Sequence, residues 1–134
     1  MVEGVRQGEF ASMKNILVVD DSRIMRNIVK NIVGTLKIAC DFYEASNGIE
    51  ALMTLRQSQI DLVLLDWNMP QLSGMDFLKK VRGMPAYKNL PIIMVTSEAA
   101  RYNVIDALKN GATDYIIKPI DEKAFLGKLS KLLV

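Results

Sequence analysis

Five side chains able to do chemistry stand at the ends of apolar runs in this chain. Asp20 and Asp21 follow Ile16-Leu17-Val18-Val19, Asp66 follows Leu62-Val63-Leu64-Leu65, Thr96 follows Ile92-Ile93-Met94-Val95, and Lys118 follows Tyr115-Ile116-Ile117. If those ends converge, three carboxylates, a hydroxyl and an ammonium share one crevice. Uncompensated carboxylates repel and drive a proton onto one of them. A hard dication relieves this, and carboxylates with a backbone carbonyl and retained waters suit Mg²⁺. A metal and a lysine beside one carboxylate favour phosphoryl transfer to it, because both stabilise the equatorial phosphoryl oxygens. Asp66 is then the candidate nucleophile, a role carboxylates take in aspartyl-phosphate chemistry. Singly, each residue has an ordinary reading. Asp66 can open the turn before Pro70, Asp20-Asp21 can cap a helix, Thr96 suits a strand, and Lys118 suits a surface. Only their joint placement at four successive run ends favours the chemistry.

The elements that must position these residues are legible from pattern. Continuous apolar runs bounded by turn signals read as strands buried on both faces. They cover Lys14–Asp20, a shorter and more mixed Cys40–Ala45 nearer an edge, Leu62–Asp66, Leu90–Thr96 and Asp114–Lys118. Between them lie helical spacings. Ile24, Ile28, Val29, Ile32 and Val33 form an apolar stripe that ends near Gly34. Ile49, Leu52, Met53 and Arg56 follow, then Met75 to Arg82 closed by Gly83 and Pro85, and Ala99 to Asn110 closed by Gly111. A last helix, capped by Asp121, turns Phe125, Leu129, Leu132 and Leu133 inward. Strict alternation with short connections predicts an α/β fold, a doubly wound five-stranded parallel sheet flanked by helices. Crossovers return the chain to the same edge, so the strand ends bearing Asp20, Asp66, Thr96 and Lys118 project together. Open sheets of this kind bind ligands there.

Composition narrows the options. The 134 residues suit one domain with a real core. Residues 1–13 have no sustained period and read as a flexible extension, native or left over from expression, ahead of a domain at 14–134. No run is long enough to span a bilayer and no signal-peptide pattern opens the chain, so a cytoplasmic, membrane-free protein is expected. The net charge of +2 is small and dispersed, which argues against a nucleic-acid surface. The single cysteine, Cys40, reads as a small core residue. The chain has no histidine, which removes histidine triads and histidine metal ligands.

The segments ILVVDDS, LVLLDWNMP, LPIIMVTSEA and DYIIKP resemble, in order, the signatures of the response-regulator receiver domain, over about Met13 to Val134. Within that family the chain is most similar to the CheY-type single-domain chemotaxis regulators. The resemblance implies a flavodoxin-like strand order of 2-1-3-4-5. It implies that Asp66 takes a phosphoryl group from a sensor histidine kinase of the CheA type. Asp21, Asp66 and the main-chain carbonyl of Asn68 would bind Mg²⁺, with Asp20 acting through a water. Thr96 and Lys118 would contact the phosphoryl group, Lys118–Pro119 would be cis, and Ser97 would be the small residue beside it. Asn68 and Glu98 would tune loss of phosphate. Tyr115 would swing inward as Thr96 moves. Arg101, Val104, Leu108, Tyr115, Ile117 and Lys128 would form the output surface for the flagellar motor switch protein FliM, with a phosphatase as a further partner and the chain acting as a monomer.

Two alternatives stand beside this switch. One is a shuttle passing phosphate to a histidine phosphotransfer protein. The other is a Mg²⁺-dependent phosphohydrolase with an aspartate nucleophile; enzymes resembling haloacid dehalogenases want Asp-x-Asp after the first strand, where this chain has Asp20-Asp21-Ser22. On the leading reading the protein is no enzyme beyond its own phosphorylation and dephosphorylation.

Overall fold

The computed structural model describes residues 13–133. Five parallel strands, β1 (Lys14–Val19), β2 (Cys40–Ala45), β3 (Leu62–Leu65), β4 (Ile92–Thr96) and β5 (Asp114–Ile117), form one sheet in the order β2-β1-β3-β4-β5. Five helices alternate with them: α1 (Arg23–Val33), α2 (Gly48–Gln57), α3 (Gly74–Arg82), α4 (Arg101–Lys109) and α5 (Glu122–Leu133). A 3₁₀ turn over Pro85–Tyr87, not anticipated from the pattern, joins α3 to β4. The expected strand order and the edge position of β2 both hold. The expected extension over 1–13 lies, apart from Met13, outside the described residues.

The alternation of strand side chains divides the core in two. Leu17, Val19, Val63, Leu65, Ile92 and Met94 face α2, α3 and α4, with Phe77, Leu78 and Val81 packed on them. Ile16, Val18, Leu62, Leu64, Ile93 and Val95 face α1 and α5, with Val29, Val33, Phe125 and Leu129. A fully buried side chain of this size contributes roughly 1.5–3 kcal/mol, so the central strands hold the sheet rigidly behind their carboxyl ends. Ser73 caps α3 by accepting from the Asp76 N–H, and Asp121 caps α5 by accepting from the Ala124 N–H at 3.2 Å.

Helical spacing misplaced part of the buried surface. In the α1 stripe Val29, Ile32 and Val33 are buried, but Ile24 is 73% and Ile28 41% exposed. In α2 the buried positions are Gly48, Ala51 and Leu55, while Ile49 and Met53 point outward. The two helices flank the β2 end of the sheet on opposite faces, and among the described residues these four side chains stay exposed. Cys40, expected in the core, is half-buried.

Candidate functional site

Four strands end together and bring the expected residues to one place. The ladder between β1 and its neighbours stops at Val19, paired with Ala45 and Leu65, and the Asp66 N–H still donates to the Val19 carbonyl at 2.9 Å. Asp20 and Asp66 follow immediately and are buried, with Asp21 exposed beside them. Oxygens of all three carboxylates lie within 4.8 Å of one another. On the far side the Lys118 N–H donates to the Thr96 carbonyl at 2.9 Å, which sets the lysine against the acids. Its ammonium donates to Asp20 Oδ2 at 2.8 Å and stands 3.7 Å from Asp66 Oδ1. The Lys118–Pro119 peptide is cis. Thr96 closes the floor and is fully buried.

The local sequence holds this geometry. Asp20 Oδ1 accepts from the Ser22 N–H at 2.9 Å, and Ser22 Oγ accepts from the Met25 N–H at 3.2 Å, so the acidic pair and the α1 cap form one unit. Asp66 Oδ1 accepts from the Trp67 N–H at 2.8 Å. The Gly74 N–H donates to the Trp67 carbonyl, and a Cβ on Gly74 would collide with the Asp66 carbonyl oxygen. Only glycine lets the loop after β3 close so tightly.

Burial raises the Asp66 carboxyl above the ordinary carboxylate range, and Asp20 adds to the rise. The Lys118 ammonium, the Thr96 hydroxyl and the Trp67 N–H pull the other way. Burial therefore dominates, and the ionised Asp66 carboxylate is short of positive charge. The donor set around it is all oxygen and compact, which fits a hard divalent cation such as Mg²⁺.

Beyond the acids, the structure adds contacts that the sequence did not disclose. Asn68 Nδ2 donates to Glu98 Oε1 at 2.8 Å, and Asn103 Nδ2 to Glu98 Oε2 at 3.3 Å, so Glu98 ties the loop after β3 to α4. Arg26 Nη1 donates to the Asp20 carbonyl at 2.7 Å. An arginine one turn into a helix carries no motif, so nothing in the sequence singled it out. Tyr115 is turned inward, 8% exposed, with its hydroxyl donating to the Glu98 carbonyl. Ser97 is exposed next to Thr96.

The residues expected as an output surface lie apart from the acids, on α4, β5 and α5. Arg101, Leu108 and Ile117 are exposed, Val104 is half-buried, and Lys128 is paired with Asp114 at 2.9 Å. Tyr102 and Ile105, absent from the expected set, are exposed on α4 as well. Among the described residues no helix is long and apolar enough to cross a membrane.

A family model described as the response regulator receiver domain matches residues 16–130. The chain is 42% identical over 119 residues to a chemotaxis protein CheY homolog of Campylobacter jejuni, covering 88% of this chain and 91% of that one. It is 44% identical over 119 residues to the chemotaxis protein CheY1 of Helicobacter pylori, covering 88% and 95%. Among solved structures, chemotaxis protein CheY4 of Vibrio cholerae superposes with a TM-score of 0.78 at 31% identity, over 90% of this chain and 98% of that one. The ordered motifs, the strand order and the gathered acids agree with these likenesses: the chain belongs to the response-regulator receiver domain family and is CheY-like within it.

Proposed function

We propose that this protein is a phosphorylation-operated switch of a chemotaxis pathway, with Asp66 as the phosphoryl acceptor. The observation that carries the reading is the buried Asp66 carboxylate, set between two further carboxylates and the Lys118 ammonium. Asp21, Asp66 and the Asn68 carbonyl would hold Mg²⁺ on this reading, with Asp20 contributing through a water. The cation supplies charge neutralisation at the phosphoryl oxygens. An Asp66 oxygen attacks the phosphorus of a phosphohistidine on a CheA-type kinase; the P–N bond breaks and the imidazole nitrogen takes up a proton. Lys118 leaves Asp20 for a phosphoryl oxygen, and the Thr96 hydroxyl donates to another. The modification brings about −1.5 to −2 charges to the strand ends.

The readout is the α4–β5–α5 face, including Arg101, Val104, Leu108, Tyr115, Ile117 and Lys128, and its partner is the motor switch protein FliM. This reading places the protein in the cytoplasm. On this reading the inward position of Tyr115, with its hydroxyl on the Glu98 carbonyl, is the one that phosphorylation favours. A partner shifts the equilibrium only by its differential affinity for the two states.

The test has two arms. Acetyl phosphate with Mg²⁺ adds one phosphoryl mass to the protein but not to Asp66→Asn; an equal gain in both refutes Asp66 as acceptor. Beryllofluoride with Mg²⁺ tightens binding of a FliM N-terminal peptide, and Thr96→Ala removes most of that gain. Equal peptide affinity with and without beryllofluoride excludes the motor as output and favours the phosphate shuttle.

A further inference from the structure

We propose that Arg26 is a positioning residue for the acidic pair, setting the direction in which Asp21 presents its carboxylate to Mg²⁺. The inference rests on the reading above that these acids hold the cation. The strand ladder ends at Val19, so the Asp20 carbonyl lies beyond regular pairing. Backbone carbonyls in such positions need a partner. Arg26, one turn into α1, supplies it through Nη1 at 2.7 Å. The peptide joining Asp20 to Asp21 is planar, so fixing its carbonyl oxygen also fixes the plane that leads to the Asp21 Cα. Asp20 is further held by its own bonds to Ser22 and Lys118. Asp21 is exposed, and the backbone must aim it.

The guanidinium is itself anchored. Arg26 Nε donates to Glu44 Oε1 at 2.9 Å, and Lys30 Nζ donates to Glu44 Oε2 at 2.8 Å. Those hydrogen bonds, from Lys30 and then Arg26, hold the Glu44 carboxyl below the usual carboxylate range. Glu44 sits near the end of β2 and its two cations on successive turns of α1. The Arg26 side chain is only 15% exposed. The planar fork of arginine can bond a carbonyl with one nitrogen and a carboxylate with another, which a lysine ammonium cannot match in fixed geometry. The chain β2–Glu44–Arg26–Asp20–Asp21 therefore transmits the rigidity of the sheet edge to the most exposed carboxylate of the site.

The sign of the effect separates this role from simple electrostatics. Arg26 is a cation near a cation site, so deleting its charge alone strengthens Mg²⁺ binding. Loss of positioning weakens it, and groups that orient metal ligands are typically worth about tenfold or more in affinity. The experiment is a Mg²⁺ titration of the full-length protein, read by fluorescence of the single Trp67 and by calorimetry. It is run on the unmutated protein, Arg26→Met, Arg26→Lys and Glu44→Gln, with thermal unfolding in EDTA alongside. Arg26→Met should bind about tenfold more weakly, and Arg26→Lys should fall between it and the unmutated protein. Glu44→Gln should also weaken binding, and the loss should persist at high salt, where a long-range charge effect is screened.

Equal or tighter binding by Arg26→Met, with or without a lower melting temperature, overturns the proposal. Should that variant not fold, unchanged affinity in both Arg26→Lys and Glu44→Gln overturns it instead. If the unmutated protein itself shows no saturable Mg²⁺ binding, the reading of the acids as a Mg²⁺ site fails, and this role fails with it.

Discussion

The Tyr115 hydroxyl donates to the main-chain carbonyl of Glu98 at 2.6 Å, while the Glu98 carboxylate accepts from Asn68 and Asn103. One residue thus links the loop after β3, the start of α4 and the ring on β5. Burial, then Glu98 and Asp66, pushes the Tyr115 phenol up to about 12. A raised folded value means that the stability from the buried phenol is intact below the unfolded value of about 10, and is lost as pH rises through about 12. In an ultraviolet titration, one of the four tyrosines should ionise late, and Tyr115→Phe should remove that late phase. A late phase surviving in Tyr115→Phe assigns it to another ring.

Lys118 is the cation that the chain itself brings to the acids. It lies 2.8 Å from Asp20 and 3.7 Å from Asp66. Replacing it by methionine leaves two buried carboxylates facing each other. Breaking such a pair costs about 3 kcal/mol or more. Lys118→Met should lose that much stability in EDTA near neutral pH. Part of the loss should return with saturating Mg²⁺, read by urea unfolding in both conditions. A loss of equal size with and without Mg²⁺ places the effect in packing rather than charge.

Asp21 is the exposed member of the acidic trio. Mg²⁺ takes few protein ligands and keeps its waters, so deletion of one carboxylate removes a large share of the site. Asp21→Ala should abolish the Mg²⁺ response of Trp67 while leaving the melting temperature in EDTA unchanged or raised, because like charges are relieved. An unaltered Mg²⁺ titration retires Asp21 as a ligand.

Two glycines should respond oppositely to alanine. A Cβ at Gly127, exposed within α5, meets nothing within 4 Å, and the substitution should stabilise by about 1 kcal/mol through helix propensity. At Gly74 the Cβ collides with the Asp66 carbonyl, and overpacking of this kind costs about 1–3 kcal/mol. Thermal unfolding of the two variants checks both signs, and a stabilised Gly74→Ala would show that the loop after β3 relaxes freely.

The amino-acid sequence alone determined the elements and the chemistry available to them. Apolar runs such as Leu62–Leu65 are too continuous for a surface strand and too short for most helices, and each ends in a reactive side chain. The alternation of strand and helix then forces the ends of successive strands onto one edge. Strand order was not written in periodicity, because β1, β3 and β4 are nearly interchangeable apolar strings; the receiver motifs carried it. Tertiary structure alone decided what depends on neighbours distant in sequence. Helical spacing gives Ile24 the same weight as Val29, and on the second helix it picks Ile49 and Met53 and passes over Leu55, yet Val29 and Leu55 are the buried ones. Tyr115 is inward because the Glu98 carbonyl, seventeen residues away, accepts its hydroxyl. Arg26 reaches the Asp20 carbonyl because the ladder ends at Val19 and Glu44, on another strand, holds the guanidinium there. A local pattern records spacing along one element. Burial and hydrogen-bond partners are properties of two or more elements brought together.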